Sequence, residues 1–132
     1  MIKKITTILF LSVFLVACAG KPTQKELDNA DYGQPVEQSI AEDLTKSFFA
    51  QYLKDPYSAQ YSFGGIYKGY NVGSVFENRK ITAGYLLDVS INAKNSYGGY
   101  VGTKTYKFIF HNGRMVRGYE ILKASGAPIT IY

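Results

Sequence analysis

The chain has 132 residues, with 15 Lys plus Arg against 10 Asp plus Glu, one His, one Cys, no Trp, 12 Tyr and 8 Phe. This length accommodates one small domain. A single Cys excludes an internal disulfide framework, and one His with one Cys excludes the usual zinc ligand sets. We therefore expect no metal and no cofactor.

The N-terminus has the organisation of a secretory signal. Lys3 and Lys4 precede an almost unbroken apolar run from Ile5 to Ala17, which is too short for an ordinary transmembrane helix. The run ends in Leu-Val-Ala-Cys at residues 15–18, and this ending resembles a bacterial lipobox. The resemblance implies cleavage before Cys18 and attachment of diacylglycerol and a further acyl chain, of the palmitate type, to that residue. An ordinary secretory signal with an incidental Cys18 is the alternative.

The lipobox resemblance also implies a location. Two or three acyl chains make a stable anchor, whereas one chain binds a bilayer only marginally. The residue after Cys18 is Ala19 and not the Asp that tends to retain such lipoproteins at the inner membrane. We expect a signal peptide at residues 1–17 and a mature protein that is lipid-anchored to the outer membrane, faces the periplasm and does not span it.

Charge is distributed unevenly along the mature chain. Residues 18–78 carry 5 positive and 8 negative side chains, and residues 79–132 carry 8 positive and 2 negative ones. The net excess is too small for a nucleic-acid-binding footprint. The basic half is consistent with an acidic partner or anionic head groups, but solvated strand faces that discourage edge pairing are the better interpretation.

Polar residues without a sustained apolar period follow Cys18 up to Gly33, so residues 18–33 are predicted to be a lipidated Cys and a flexible tether. A single domain then covers residues 34–132. Its first element is a helix from about Pro35 to Lys54, which Asp55 and Pro56 end. Its apolar residues recur every four positions, widened by two more, and predict a face packed in the core: Val36, Ile40, Leu44, Phe48 and Tyr52, with Ala41 and Leu53.

After the helix the apolar period changes to two. Tyr61 and Phe63 begin a strand that Gly64 and Gly65 bend or bulge, and the polar stretch from Gly69 to Lys80 is predicted to be a loop. Residues 81–93 give the clearest strand, with one core face and one wet face and with Leu86 out of pattern.

A hairpin follows, with its turn at Asn112 and Gly113. A two-residue loop predicts the pairs His111 with Arg114, Phe110 with Met115, Phe108 with Arg117, and Tyr106 with Tyr119. With these pairs, parts of both sheet faces are apolar. The alternating apolar residues at 127–132 are consistent with a short edge strand. The expected fold class is α+β, with one N-terminal helix packed on an antiparallel sheet of four to five strands.

The connection between the strand at residues 81–93 and the hairpin has the composition of a binding loop. It combines amides, a cation, two Tyr and several Gly, and Tyr supplies contact area where Gly and Asn supply backbone freedom. The alternative is a long hairpin connection that needs Gly and Asn only for turn geometry. The predicted partner-binding residues are Lys94, Asn95, Ser96, Tyr97, Gly98, Gly99 and Tyr100.

Two segments together resemble a group of small, mostly uncharacterised bacterial envelope lipoproteins. They read Lys-Asp-Pro-x-Ser-Ala at residues 54–59 and Asn-Ala-Lys-Asn-Ser-Tyr-Gly-Gly-Tyr at residues 92–100, within a resemblance that covers about residues 50–110. The resemblance supports the envelope location and implies that the two segments meet in space, but it supplies no catalytic residue. We expect Asp55 or Ser58 to bond the exposed backbone amides of the second segment.

Catalytic residue patterns are missing from the sequence. The carboxylates after the helix are far apart along the chain, and the single imidazole, His111, sits beside the hairpin turn, where an exposed structural residue is the better interpretation. We expect a non-enzymatic binding or assembly module of the outer membrane, with a protein partner in the envelope. The alternative is a periplasmic inhibitor or immunity lipoprotein that plugs a lytic enzyme with a loop carrying Lys94 and Lys104.

Overall fold

An antiparallel sheet and a helix packed on one of its faces make up the body of the protein. The structure is a computed structural model that describes residues 20–132. The α+β class and the antiparallel sheet are confirmed, and in this part of the chain the sheet has six strands where the sequence predicts four to five. The elements in chain order are α1 (Gln24–Asp28), α2 (Gln38–Tyr52), a 3₁₀ turn (Pro56–Ser58), β1 (Gln60–Phe63), β2 (Tyr67–Val72), a second 3₁₀ turn (Val75–Glu77), β3 (Ile81–Asn92), β4 (Lys104–His111), β5 (Arg114–Ile121) and β6 (Pro128–Thr130).

β3 is the long central strand of the sheet. β1 pairs with residues 89–92 of β3 and β2 with residues 81–86, so the two short strands together line one edge. The prediction of a loop from Gly69 to Lys80 is wrong at its N-terminal end, because β2 continues to Val72. Its residues are polar since an edge strand is half exposed, and the hydrogen-bond ladder to β3 overrides that composition. At the other edge β6 pairs with β5, so the C-terminal tail does add a short strand.

The break between β1 and β2 is bridged by a side chain of α2. The Gln38 amide nitrogen donates to the Gly64 carbonyl at 2.9 Å, and the Ile66 backbone N–H donates to the Gln38 side-chain oxygen at 3.0 Å. Gln38 thus satisfies backbone groups that have left the ladder. The bend predicted at Gly64 and Gly65 is confirmed.

The core lies between α2 and the sheet, and its helical face differs from the predicted one. The fully buried helix residues are Ala41, Thr45 and Phe49, whereas Ile40 is 48% and Tyr52 44% exposed. The predicted residues Val36 and Ala41 are buried, and Leu44, Phe48 and Leu53 pack against the core. The prediction is wrong for Ile40 and Tyr52, because the centre of the buried face is shifted by about one position toward Thr45 and Phe49. Phe49 lies 4.8 Å from Tyr106 and 5.6 Å from Phe108 between ring centroids, and the Thr45 hydroxyl donates to the Ala41 carbonyl at 2.8 Å.

The opposite sheet face carries a smaller apolar cluster. Leu86, out of pattern in the sequence, is buried there against Ile109 and Tyr119, so the prediction that parts of both faces are apolar is confirmed. Beside the cluster Lys107 donates to the Tyr67 hydroxyl at 2.9 Å and lies 3.4 Å from an Asp88 carboxylate oxygen. Burial opposes the Lys107 charge, but the Tyr67 hydrogen bond and the Asp88 charge outweigh it and raise the pKa of Lys107.

The β4–β5 hairpin turns where the sequence predicts. Asn112 and Gly113 have φ of 51° and 73°, which a two-residue hairpin turn requires. The pairs His111 with Arg114 and Phe110 with Met115 are confirmed. The pairs beyond them are wrong, because a bulge shifts the register by one residue: Arg117 lies opposite Ile109, and Tyr106 lies opposite Glu120.

The sheet has two ends of different composition. We call the end with the β4–β5 turn and the β2–β3 connection the linker end, and the end with residues 93–103 and the Pro56–Ser58 turn the loop end. The eight residues of β4 separate them by about 26 Å.

The chain preceding α2 is docked at the linker end. The predicted tether contains α1, which has a capping box of Thr23 and Glu26. Asp31 lies 3.2 Å from His111, and the Gln34 N–H donates to the Asn112 side chain at 2.8 Å. Residues 31–34 are therefore bonded to the hairpin turn and belong to the folded body.

Candidate functional site

The predicted binding loop is a hydrogen-bonded turn at the loop end of the sheet. Lys94 and Tyr100 form an antiparallel bridge at its base. Inside it the Asn95 N–H donates to the Gly99 carbonyl at 2.9 Å, and the Gly98 N–H donates to the Asn95 carbonyl at 3.1 Å. Hydrogen bonds thus order residues 94–100, although these residues lie between strands β3 and β4 and belong to neither.

Asn95 holds this turn from within. Its side-chain oxygen accepts the Tyr97 N–H at 2.9 Å and the Gly99 N–H at 3.2 Å, and Gly98 has φ of +80°, which favours glycine. The turn-geometry interpretation therefore applies to Asn95 and Gly98, although both were predicted as contact residues. Ser96 and Gly99 are exposed on the turn.

The two tyrosines of the turn are exposed to different degrees. Tyr97 is 97% exposed, so its ring contacts almost nothing in this chain. Tyr100 is 47% exposed; its hydroxyl donates to the Ser58 carbonyl at 3.2 Å, and the Lys94 ammonium lies 5.4 Å from its ring centroid. Turn chemistry requires neither ring, so a surface role remains for both.

The predicted contact between the two resembling segments is confirmed, and Ser58 makes it. The Ser58 hydroxyl accepts the Lys94 N–H at 2.8 Å and donates to the Asp55 carbonyl at 2.9 Å. The Asp55 carboxylate accepts the Ser58 N–H at 3.3 Å. Asp55 therefore positions Ser58, which in turn supports the loop.

Two surface residues at this end were missed from the sequence. Tyr57 precedes Ser58 and is fully exposed, and Val101 follows Tyr100 and is 58% exposed. Their local sequences show only turn and hairpin composition, so no periodicity marks them. We call the set Tyr57, Lys94, Tyr97, Tyr100 and Val101 the tyrosine surface.

Lys104, the second cation that the inhibitor hypothesis places in the loop, is held in an ion pair. Lys104 lies 2.8 Å from the Glu120 carboxylate across β4 and β5. The side chain of Lys104 is about half exposed, so the ion pair and not burial limits its availability. Lys94 is thus the cation of the tyrosine surface, and its charge faces the Tyr100 ring.

Residues with catalytic potential do not converge in the described part of the chain. His111 lies at the linker end with Asp31, and Asp88 and Glu120 are each paired with a lysine. Residues 20–132 contain no group of three or more His, Cys, Asp or Glu side chains placed to hold a metal ion. The predicted lipidation residue, Cys18, lies outside the described residues.

An open groove lies beside α2, between the helix and the β4–β5 turn. Its volume is about 650 Å³ and it is open and mainly apolar. It is partly lined by helix residues that the sequence assigned to the core, namely Leu44, Phe48 and Tyr52. Within residues 20–132 no helix is both long and apolar enough to cross a membrane.

Comparisons with protein-family profiles, curated proteins and solved structures found no significant match to this chain.

Proposed function

We propose that the protein is a non-enzymatic, lipid-anchored envelope protein that binds a protein partner through the tyrosine surface. In this proposal Cys18 carries the lipid and attaches the chain to the periplasmic side of the outer membrane. The observation that supports partner binding is Tyr97, which is 97% exposed on a turn whose backbone Asn95 and Ser58 hold in place.

A fixed turn favours binding for an energetic reason. An interface loses free energy when it must order flexible loops and side chains, and a loop that is already ordered avoids part of that loss. Tyrosine side chains bring large contact area with few rotatable bonds and are enriched among residues that dominate binding energy. Tyr97 and Tyr57 combine these properties with near-complete exposure.

The alternative function is inhibition of a lytic enzyme by insertion of the loop. Such a plug needs a charge matched to its target, and the pairing of Lys104 with Glu120 leaves Lys94 as the cation of the loop. The tyrosine surface draws on two turns, Pro56–Ser58 and residues 94–101, which favours a broad contact. We therefore place assembly before inhibition.

Site-specific crosslinking in intact envelopes tests the proposal. A photoreactive residue replaces Tyr97 in one variant and the exposed Asp43 of α2 in a matched control. Capture of one partner from position 97 and not from position 43 supports the tyrosine surface. No capture, or the same mixture from both positions, rejects it.

A substitution series on the captured complex then separates the two functions. Tyr97→Ala should weaken binding by about tenfold or more, while Tyr97→Phe retains most of it. An assembly module should also lose affinity in Tyr57→Ala and Tyr100→Ala, because the contact is broad. An inhibitor should lose nearly all affinity at Tyr97 and almost none at Tyr57.

The anchor is tested separately by the mass of the mature protein. We expect a mass that corresponds to a chain beginning at Cys18 with attached acyl chains, and a Cys18→Ser variant that is not lipidated. A mature chain without lipid would contradict the anchor and leave the tyrosine surface unaffected.

A further inference from the structure

A second exposed apolar feature lies at the linker end, in the β2–β3 connection. Val75 is 67% exposed and Phe76 is 99% exposed. Both belong to the 3₁₀ turn Val75–Glu77, for which the sequence predicts only a polar loop. An exposed Phe differs from the exposed tyrosines, because it has no hydroxyl to bond with water.

The turn that carries Phe76 is held by several hydrogen bonds. The Ser74 N–H donates to the Glu77 carboxylate at 3.0 Å, and the Arg79 N–H donates to the Ser74 carbonyl at 3.0 Å. Glu77 also lies 3.2 Å from Arg117 of β5. Asn78 and Arg79 both have φ of 52°, a left-handed conformation that non-glycine residues seldom adopt twice in succession. The turn therefore presents Val75 and Phe76 on a defined backbone.

Three basic side chains lie at the same end of the sheet as these two apolar residues, together with the paired carboxylates of Glu77 and Asp31. Arg79 and Lys80 follow in the same connection, and Arg114 follows the neighbouring β4–β5 turn; all three are exposed. Among residues 20–132, these three cations are not within 4 Å of any carboxylate. Apolar side chains with adjacent cations match the boundary between acyl chains and anionic head groups.

The proposed lipid anchor leaves the domain at this same end. Asp31, Lys80 and Arg117 line one cleft of about 330 Å³, which places the chain preceding α2 beside the β2–β3 connection. Five residues, Ala19–Thr23, separate Cys18 from the first residue of α1. Fully extended, they span at most about 18 Å. A docked α1 would therefore keep the linker end close to the bilayer.

We infer that Val75 and Phe76 form a second membrane contact, inserting at the bilayer interface while Arg79 and Lys80 meet anionic lipid head groups. The orientation that follows rests on the proposed anchor at Cys18: the linker end faces the membrane, and the tyrosine surface points away from it. The membrane contact itself requires only the Val75–Glu77 turn together with Arg79 and Lys80, which we call the basic rim.

Tryptophan fluorescence tests this contact directly, because the chain has no Trp of its own. Phe76→Trp is made in the full chain, and the mature protein is reconstituted into vesicles of phosphatidylethanolamine with phosphatidylglycerol. We expect a blue-shifted emission that brominated acyl chains quench. The matched control, Tyr97→Trp, should remain exposed to aqueous iodide and should not be quenched by the brominated lipid.

The basic rim is tested in the same vesicles. Arg79→Gln with Lys80→Gln, added to Phe76→Trp, should weaken insertion on anionic vesicles by about fivefold per charge removed. The change should be small on purely zwitterionic vesicles. An unchanged dependence on anionic lipid would overturn the role of the two cations.

The outcomes separate this inference from the proposed anchor. If Cys18 carries lipid but the indole of Phe76→Trp is as exposed to iodide as that of Tyr97→Trp, the membrane contact is overturned and the anchor is kept; the turn would then be a protein-binding surface. If the chain carries no lipid but the emission of Phe76→Trp shifts to the blue when vesicles are added, the contact is kept and the anchor is overturned.

Discussion

Both ends of the sheet hold aromatic rings almost entirely in solvent, Tyr57 and Tyr97 at the loop end and Phe76 at the linker end, but they do so with different chemistry. At the loop end a neutral amide, Asn95, organises the turn under Tyr97. At the linker end a carboxylate, Glu77, organises the turn under Phe76. In both turns a side-chain oxygen accepts hydrogen bonds from backbone N–H groups. The loop end thereby presents Tyr97, whose hydroxyl suits a hydrated protein surface, and the linker end presents Phe76, which suits hydrocarbon.

This difference indicates how one small domain can separate two contacts. The two turns that carry the rings lie at opposite ends of the sheet, and β4 between those ends is about 26 Å long. A partner bound to Tyr97 and a surface bound to Phe76 would therefore not compete for the same space.

The largest expected effect is a loss of stability when the core between the two ends of the sheet is disrupted. Phe49 is fully buried and lies against Tyr106 and Phe108. Phe49→Ala should lower the free energy of unfolding by about 3–5 kcal/mol, as measured by urea denaturation. The exposed Gln51→Ala in the same helix is the control and should change it by less than about 0.5 kcal/mol. Equal effects of the two substitutions would contradict this description of the core.

An intermediate effect should loosen one end only. Ser58→Ala removes the acceptor of the part-buried Lys94 N–H and should cost about 1 kcal/mol. Hydrogen exchange of the Lys94 amide should accelerate, while the Arg79 amide at the other end stays unchanged. Glu77→Ala should produce the reverse pattern with a smaller change in global stability. Acceleration at both ends in either variant would show that the two turns are coupled.

The smallest expected effect is a response of the Glu77 turn at the linker end to acid. The Ser74 backbone hydrogen bond, helped by Arg117, holds the pKa of Glu77 below the ordinary glutamate value, which is about 4.3. A lowered pKa in the folded state stabilises the turn above the unfolded value, and this stabilisation is lost as pH falls through the folded value. NMR shifts of the Ser74 and Arg79 amides should therefore stay constant as pH falls to the ordinary glutamate value and change only below it.

The loop end supplies the control for that titration. Asn95 is neutral, so the Tyr97 and Gly99 amides should not follow the same curve. Glu77→Gln should abolish the response of the Ser74 amide. Glu26, whose pKa is lowered by hydrogen bonds from Thr23, should loosen the cap of α1 over a similar range.

Some features of this molecule could be predicted because local chemistry decides them. Asn112 and Gly113 identify the hairpin turn, and alternation identifies β3 from residue 81 onward. The contact of Ser58 with Lys94 followed from a resemblance and not from spacing.

Other features depend on contacts between distant segments, which a local pattern does not contain. β2 is polar along its length and is a strand because β3 pairs with it. The bulge at Val116 shifts the β4–β5 pairs, and no turn or Gly marks it. Leu86 seemed out of pattern because the sheet has a second apolar cluster on its other face. The exposure of Phe76 was missed because an apolar residue in a short polar segment carries no period.

The two hydrogen bonds of Gln38 affect whether copies of this protein can associate through their sheet edges. An uninterrupted edge from residue 60 to residue 72 would offer a long row of free N–H and carbonyl groups, to which a strand of another molecule can add. Gln38 occupies that row at its middle by bonding Gly64 and Ile66, and the other edge strand, β6, has three residues. Neither edge can therefore template a long intermolecular ladder. For a protein concentrated on a membrane surface, as proposed here, this protects against aggregation between neighbours. One glutamine side chain on a helix thus contributes to solubility as well as to the fold.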